Sequence, residues 1–110
     1  MKRTILARGA LMALLIANGT VFAAELSIER YVELSIARLE LAKASWTTTQ
    51  QPPTAEAMAA LFASYGLEET DYLAYGGANR EAVEAYLAGH PDARQRIDAL
   101  SADIDQAIKE

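Results

Sequence analysis

Fifteen carboxylates, one imidazole, five tyrosines and no thiol make up the reactive groups of this 110-residue chain. Acid–base chemistry needs two carboxylates held across a cleft, or one in an apolar pocket that raises its pKa. The acids here fall almost entirely on polar arcs of the helical pattern described below. Glu68, Glu69 and Asp71 stand together, but at a helix start, where the dipole already accounts for acids. Asp98, Asp103 and Asp105 lack the glycine an EF-hand calcium loop places at its sixth position. On a helix, Asp98 and Asp105 share a face while Asp103 points elsewhere, so a solvated face is expected.

The remaining nucleophiles and ligands fare no better. His90 lies between Gly89 and Pro91, and no second histidine or cysteine accompanies it. One imidazole is a poor transition-metal site, so a cap at a helix corner is the better reading. Without cysteine there is no disulfide scaffold, thiol nucleophile, iron–sulfur cluster or thiolate zinc site. Ser27, Ser35, Ser45, Ser64 and Ser101 sit in neither a G-x-S-x-G elbow nor an S-x-x-K neighbourhood. Gly76-Gly77 is followed by Ala-Asn-Arg-Glu, not by a P-loop lysine. The expectation is a non-enzyme with no cofactor and no metal.

The least ordinary local feature is aromatic. Tyr65, Tyr72, Tyr75 and Tyr86 surround the Gly76-Gly77 pair. Tyrosine suits an interface because it joins a large apolar area to a polar tip, and it suits the edge of a small core equally well. If a contact surface exists, it is expected on Tyr72, Tyr75, Asn79 and Arg80, where one short helix turns into the next. Trp46, beside the polar stretch TTTQQPP, is read as a core lid or a contact residue.

Five helical segments would have to position these groups. In the first, near 25–46, Ile28, Val32, Ser35, Leu39, Ala42 and Trp46 recur at spacings of four and three, and Leu34 and Leu41 add a second stripe. Thr47 to Pro53 reads as a linker, since prolines cannot continue a helix. Thr54 then caps a helix over 54–65, in which Met58, Leu61, Phe62 and Tyr65 share a face. Gly66 supplies its left-handed stop, and Leu67 is placed to pack back on Phe62. A short helix over 68–75 is expected to break at Gly76-Gly77. Asn79 is placed to cap a fourth over 79–88, and Pro91 to open a fifth over 91–109. In that last helix Ala93, Ile97, Leu100, Ile104 and Ala107 form the stripe, and Ile108 widens it. The fold class is all-α: a small helical bundle of two longer amphipathic helices, first and last, with three short ones between.

Residues 1–23 do not belong to that fold. Lys2, Arg3 and Arg8 precede an apolar run over 10–17, then Asn18-Gly19-Thr20, with Val21 and Ala23 at −3 and −1 of a cut between Ala23 and Ala24. The apolar run is too short for a membrane span of about 20 residues. This is a secretory signal peptide, leaving residues 24–110 as a single all-helical domain exported to the periplasm without an anchor. Cleavage removes three basic and no acidic residues, leaving seven basic against fifteen acidic, a net charge of −8. So acidic a chain has no footprint for nucleic acid or anionic membrane. The expected function is non-catalytic protein–protein interaction, as a small accessory or modulator. Its partner is another periplasmic or envelope protein, and the charge favours a basic one. Two alternatives stand beside it: a carrier holding a small apolar ligand or cofactor between helices, and a small carboxylate-dependent enzyme.

Overall fold

The structure, a computed structural model, describes residues 26–110. The expected signal peptide and the expected cut after Ala23 lie outside the described residues. Within them the chain forms an all-helical bundle of α1 (Ile28–Thr49), α2 (Ala55–Ser64), α3 (Glu69–Ala78), α4 (Arg80–Ala88) and α5 (Pro91–Lys109). The first and last are the long ones, at 22 and 19 residues.

Most helix ends follow from local side-chain chemistry. Ser27 caps α1 by accepting from the Arg30 amide at 3.1 Å. Thr54 caps α2 in the same way, accepting from the Ala57 amide at 3.0 Å. Gly66, at φ 75°, ends α2 in a Schellman turn: its amide donates to the Ala63 carbonyl and the Leu67 amide to that of Phe62. Leu67 is thereby buried against Phe62 in the core. Asp71 reaches back to the Glu68 amide at 3.2 Å, which gives the acids at the start of α3 a capping role.

Three boundaries differ from the sequence-based expectation. The first helix does not stop at Trp46 but continues through Thr49. The Thr49 hydroxyl donates to the Ser45 carbonyl at 2.8 Å, and the chain leaves the helix only at Gln50, whose φ is 60°. The linker is therefore shorter than the TTTQQPP stretch. Secondly, α3 does not break at Gly76-Gly77 but runs through both glycines to Ala78. Each glycine costs a helix about 1 kcal/mol relative to alanine, so something in the packing has to offset Gly76 at least. Thirdly, Asn79 stands at the N-cap position of α4 but makes no side-chain capping bond there. Its side-chain amide donates backwards to the Tyr75 carbonyl at 2.9 Å and so closes α3.

Packing falls into two zones along α1. At its N-terminal end Leu26, Leu34, Phe62, Leu67 and Tyr72 form the core, bordered by Tyr31, Met58, Tyr65 and Tyr75. Along the rest of its length α1 makes its most extensive contact with α5. Glu40 pairs with Arg96 at 2.8 Å and Lys43 with Asp103 at 2.9 Å. The pairs come in the same order along both helices, so the two run side by side in one sense. Leu100 and Ala107 of α5 are buried here, whereas Leu39 and Ile97 are only half-buried. Ile108 does not widen the stripe: it is 50% exposed at the end of α5.

Candidate functional site

The α3–α4 junction is where the expected contact residues fall, and the structure separates them. Tyr72 points inward. It is 5% exposed, its ring stacks on that of Tyr31 at 4.7 Å, and its hydroxyl meets the Ser35 hydroxyl at 2.7 Å. Ser35 donates its own proton to the Tyr31 carbonyl at 2.9 Å, so the Tyr72 hydroxyl is the donor between them. Tyr75 is half-buried, tilted against Tyr31 at 5.4 Å. Asn79 is occupied in closing α3. Arg80 alone of the four is exposed, as the first residue of α4.

Tyr31 organises this end of the molecule, and the sequence reading passed over it. Its ring lies against Gly76, where an added Cβ would sit 2.9 Å from the Tyr31 Cζ and closer still to the hydroxyl. That close approach is why α3 carries glycine at this point: the ring occupies the volume of the missing side chain. A glycine inside an otherwise helical pattern is the signal that a bulky neighbour must be found for it. Burial pushes the Tyr31 phenol above its ordinary pKa, and the neighbouring Tyr72 adds to the rise, while Ser35 and Arg38 oppose it. Tyr31 is therefore a neutral hydrogen-bonding group, not a base. Arg38 lies over the Tyr72 ring at 5.7 Å, with its Nε buried and without a hydrogen-bond partner.

Gly77, one residue on, has no such neighbour: a Cβ there would meet nothing within 4 Å. It faces an open groove of about 410 Å³ between Tyr31 and the outer side of α3–α4, walled by Leu73, Arg80, Val83 and Glu84. Leu73 is 55% exposed there. Among the described residues Arg80 forms no ion pair, and Glu84 reaches only Arg94, at 3.5 Å. A second groove, of about 390 Å³, runs over Met58, Phe62 and Leu67. Both open to solvent.

The other candidates take structural places. His90 donates through Nδ1 to the Tyr86 carbonyl at 2.7 Å and stacks on the Tyr86 ring at 3.8 Å, closing α4. Trp46 is half-buried near the end of α1. Among the described residues no acidic side chain is buried, and no three His, Cys, Asp or Glu side chains gather as metal ligands would. No described helix is long and apolar enough to cross a membrane. No family model matches the chain, and no curated protein or solved structure matches it either.

Proposed function

We propose that the protein acts by non-catalytic protein–protein contact in the periplasm, as a small accessory of another envelope protein. The observation that carries this reading is the α3–α4 groove, where a 55% exposed leucine stands beside an arginine without an ion-pair partner among the described residues. Exposed large apolar side chains are common singly, but one set in a groove next to an unpaired cation offers both area and direction to a partner. Of the residues expected from sequence, Arg80 lies on this face, with Asn79 holding the α3–α4 junction beside it. Tyr72 supports it from beneath. The net charge of −8 after signal cleavage favours a basic partner and predicts that association weakens as salt rises.

Localisation is tested by mass spectrometry of protein exported from a bacterial host, which should give an N-terminus at Ala24. Retention of Met1 would refute export. Contact is tested by capture from periplasmic extract at low and moderate salt. Leu73→Ser and Arg80→Ala should each reduce capture of a specific protein while leaving the melting temperature nearly unchanged. Equal capture by the wild type and both variants would refute this face.

A further inference from the structure

Between Lys43 and Arg80 the sequence holds no lysine, arginine or histidine, but it holds Glu56, Glu68, Glu69 and Asp71. All of α2 and α3 lies inside that interval, and among the described residues none of the four acids forms an ion pair. Asp71 is turned back onto the Glu68 amide. Arg30, which reaches the end of α2 from α1, is spent on the Tyr65 carbonyl and ring. Glu68 and Glu69 are exposed, and they are the only ionisable residues in the wall of the groove of about 390 Å³ over α2. The rest of that wall is apolar. Phe62 and Leu67 of the core line it, and Ala55, Ala59 and Ala63 stand along it, exposed, at spacings of four. Alanines so spaced form a low ridge about 12 Å long, which lets a second helix come close.

We propose that this groove docks a basic amphipathic helix of the partner protein, with its apolar face on the alanine ridge and its lysines or arginines on Glu68 and Glu69. Helix-in-groove recognition takes its area from the apolar face and its register from charges at the rim, and both are present here. An acidic helix would bring like charges against both carboxylates. A second copy of this chain does not fit either, because none of the five helices carries more basic than acidic residues. Nor does the α3–α4 groove suit the same segment, since Arg80 stands in its wall. The inference rests on the reading of the protein as a contact module for a basic partner, and it assigns the basic segment to a surface separate from the α3–α4 face.

The probe is a helix-forming peptide of leucine, alanine and lysine, about 15 residues long, compared with a twin that has glutamate for every lysine. Amide chemical-shift mapping on the mature protein should place the lysine peptide on α2 and the start of α3, with a Kd of about 1 mM or tighter. The glutamate twin should not bind. Ala59→Gln lays a long side chain across the groove from an exposed helix position, and should weaken binding about tenfold or more at an unchanged melting temperature. Glu69→Gln should weaken it about threefold at low salt. Asp105→Asn removes the same charge from α5 and should leave it unchanged. Equal affinity for the two peptides, shifts that map elsewhere, or equal losses from Glu69→Gln and Asp105→Asn would each overturn the inference. If the lysine peptide leaves α2 unshifted while Leu73→Ser and Arg80→Ala still reduce capture, the inference falls and the proposed contact face stands. If it binds α2 while capture ignores Leu73 and Arg80, the α3–α4 face falls instead.

Discussion

The two ends of α1 are held by different physics. Around Leu34 the packing is aromatic and dense. Phe62 lies 5.3 Å from the Tyr72 ring, Tyr72 stacks on Tyr31, and Arg30 reaches across to the Tyr65 carbonyl at 2.9 Å while lying over its ring at 5.1 Å. Further along, α1 and α5 meet through buried Leu100 and Ala107, half-buried aliphatic side chains such as Leu39 and Ile97, and two ion pairs whose members are 44–50% exposed. Helices of ten residues do not persist alone in water, so α2 and α3 exist only by burying their aromatics against α1. The 22-residue and 19-residue helices need less from each other, because propensity and length carry more of their stability. The inequality predicts that damage at the first end costs more than equal damage at the second.

The largest effect is expected at Phe62, which is 1% exposed at the meeting point of α1, α2 and α3. Phe62→Ala should lower stability by about 3–5 kcal/mol in chemical denaturation. In a domain this small such a loss would leave little folded protein. A loss below about 1 kcal/mol, against that range, would mean that the aromatic end is not the dominant core.

Next comes the contrast between neighbouring glycines. Gly76→Ala drives a methyl group into Tyr31 and should cost about 1–3 kcal/mol, the usual price of overpacking. Pairing it with Tyr31→Phe, which removes the hydroxyl nearest the new methyl, should recover part of that loss. If Gly76→Ala proved as harmless as Gly77→Ala, the close approach of Tyr31 would not be what selects glycine there.

Leu39 and Ile97 probe the second end. Both lie on the stripes that periodicity marked out, and both are half-buried. Each alanine substitution should cost about 1 kcal/mol, below the roughly 2–5 kcal/mol of a fully buried aliphatic residue. Leu100, at 1% exposure on the same helix, should fall within that larger range and so calibrate the pair.

Much of this was legible in the chain, and for local reasons. Thr54, Gly66 and Pro91 each act within one turn of their own position, so the type of residue fixed the helix boundary. Asn79, Thr49 and Gly76 were misread because their roles depend on competition. Asn79 had two helix ends within reach and closed the earlier one. Thr49 satisfied its hydroxyl on the helix it was expected to follow as part of the linker. Gly76 looked like a breaker because the ring that fills its side-chain volume comes from 45 positions earlier, a non-local fact that periodicity does not encode. The candidate site divided in the same way. Arg80 was placed on the surface by its charge alone, whereas Tyr72 is equally suited to a core or an interface, and only the position of Tyr31 and Ser35 decides between them.

The smallest expected effect concerns the ion pairs that tie α5 to α1. Glu40 and Arg96 are each about half-exposed, as are Lys43 and Asp103. Water screens charges in such positions, and ordering two long side chains offsets much of the attraction, so each pair should contribute about 0.2–1 kcal/mol. Arg96→Ala and Lys43→Ala test this in urea at low and high salt, with the E40A/R96A and K43A/D103A cycles isolating the pairwise part. The coupling should shrink at high salt, where the Debye length falls to about 3 Å at 1 M. A salt-insensitive coupling above about 2 kcal/mol would mean that α5 is anchored by its charges. The two ends of α1 would then differ less in strength than in chemistry, and losing Phe62 would release α2 and α3 while α1 and α5 stayed paired.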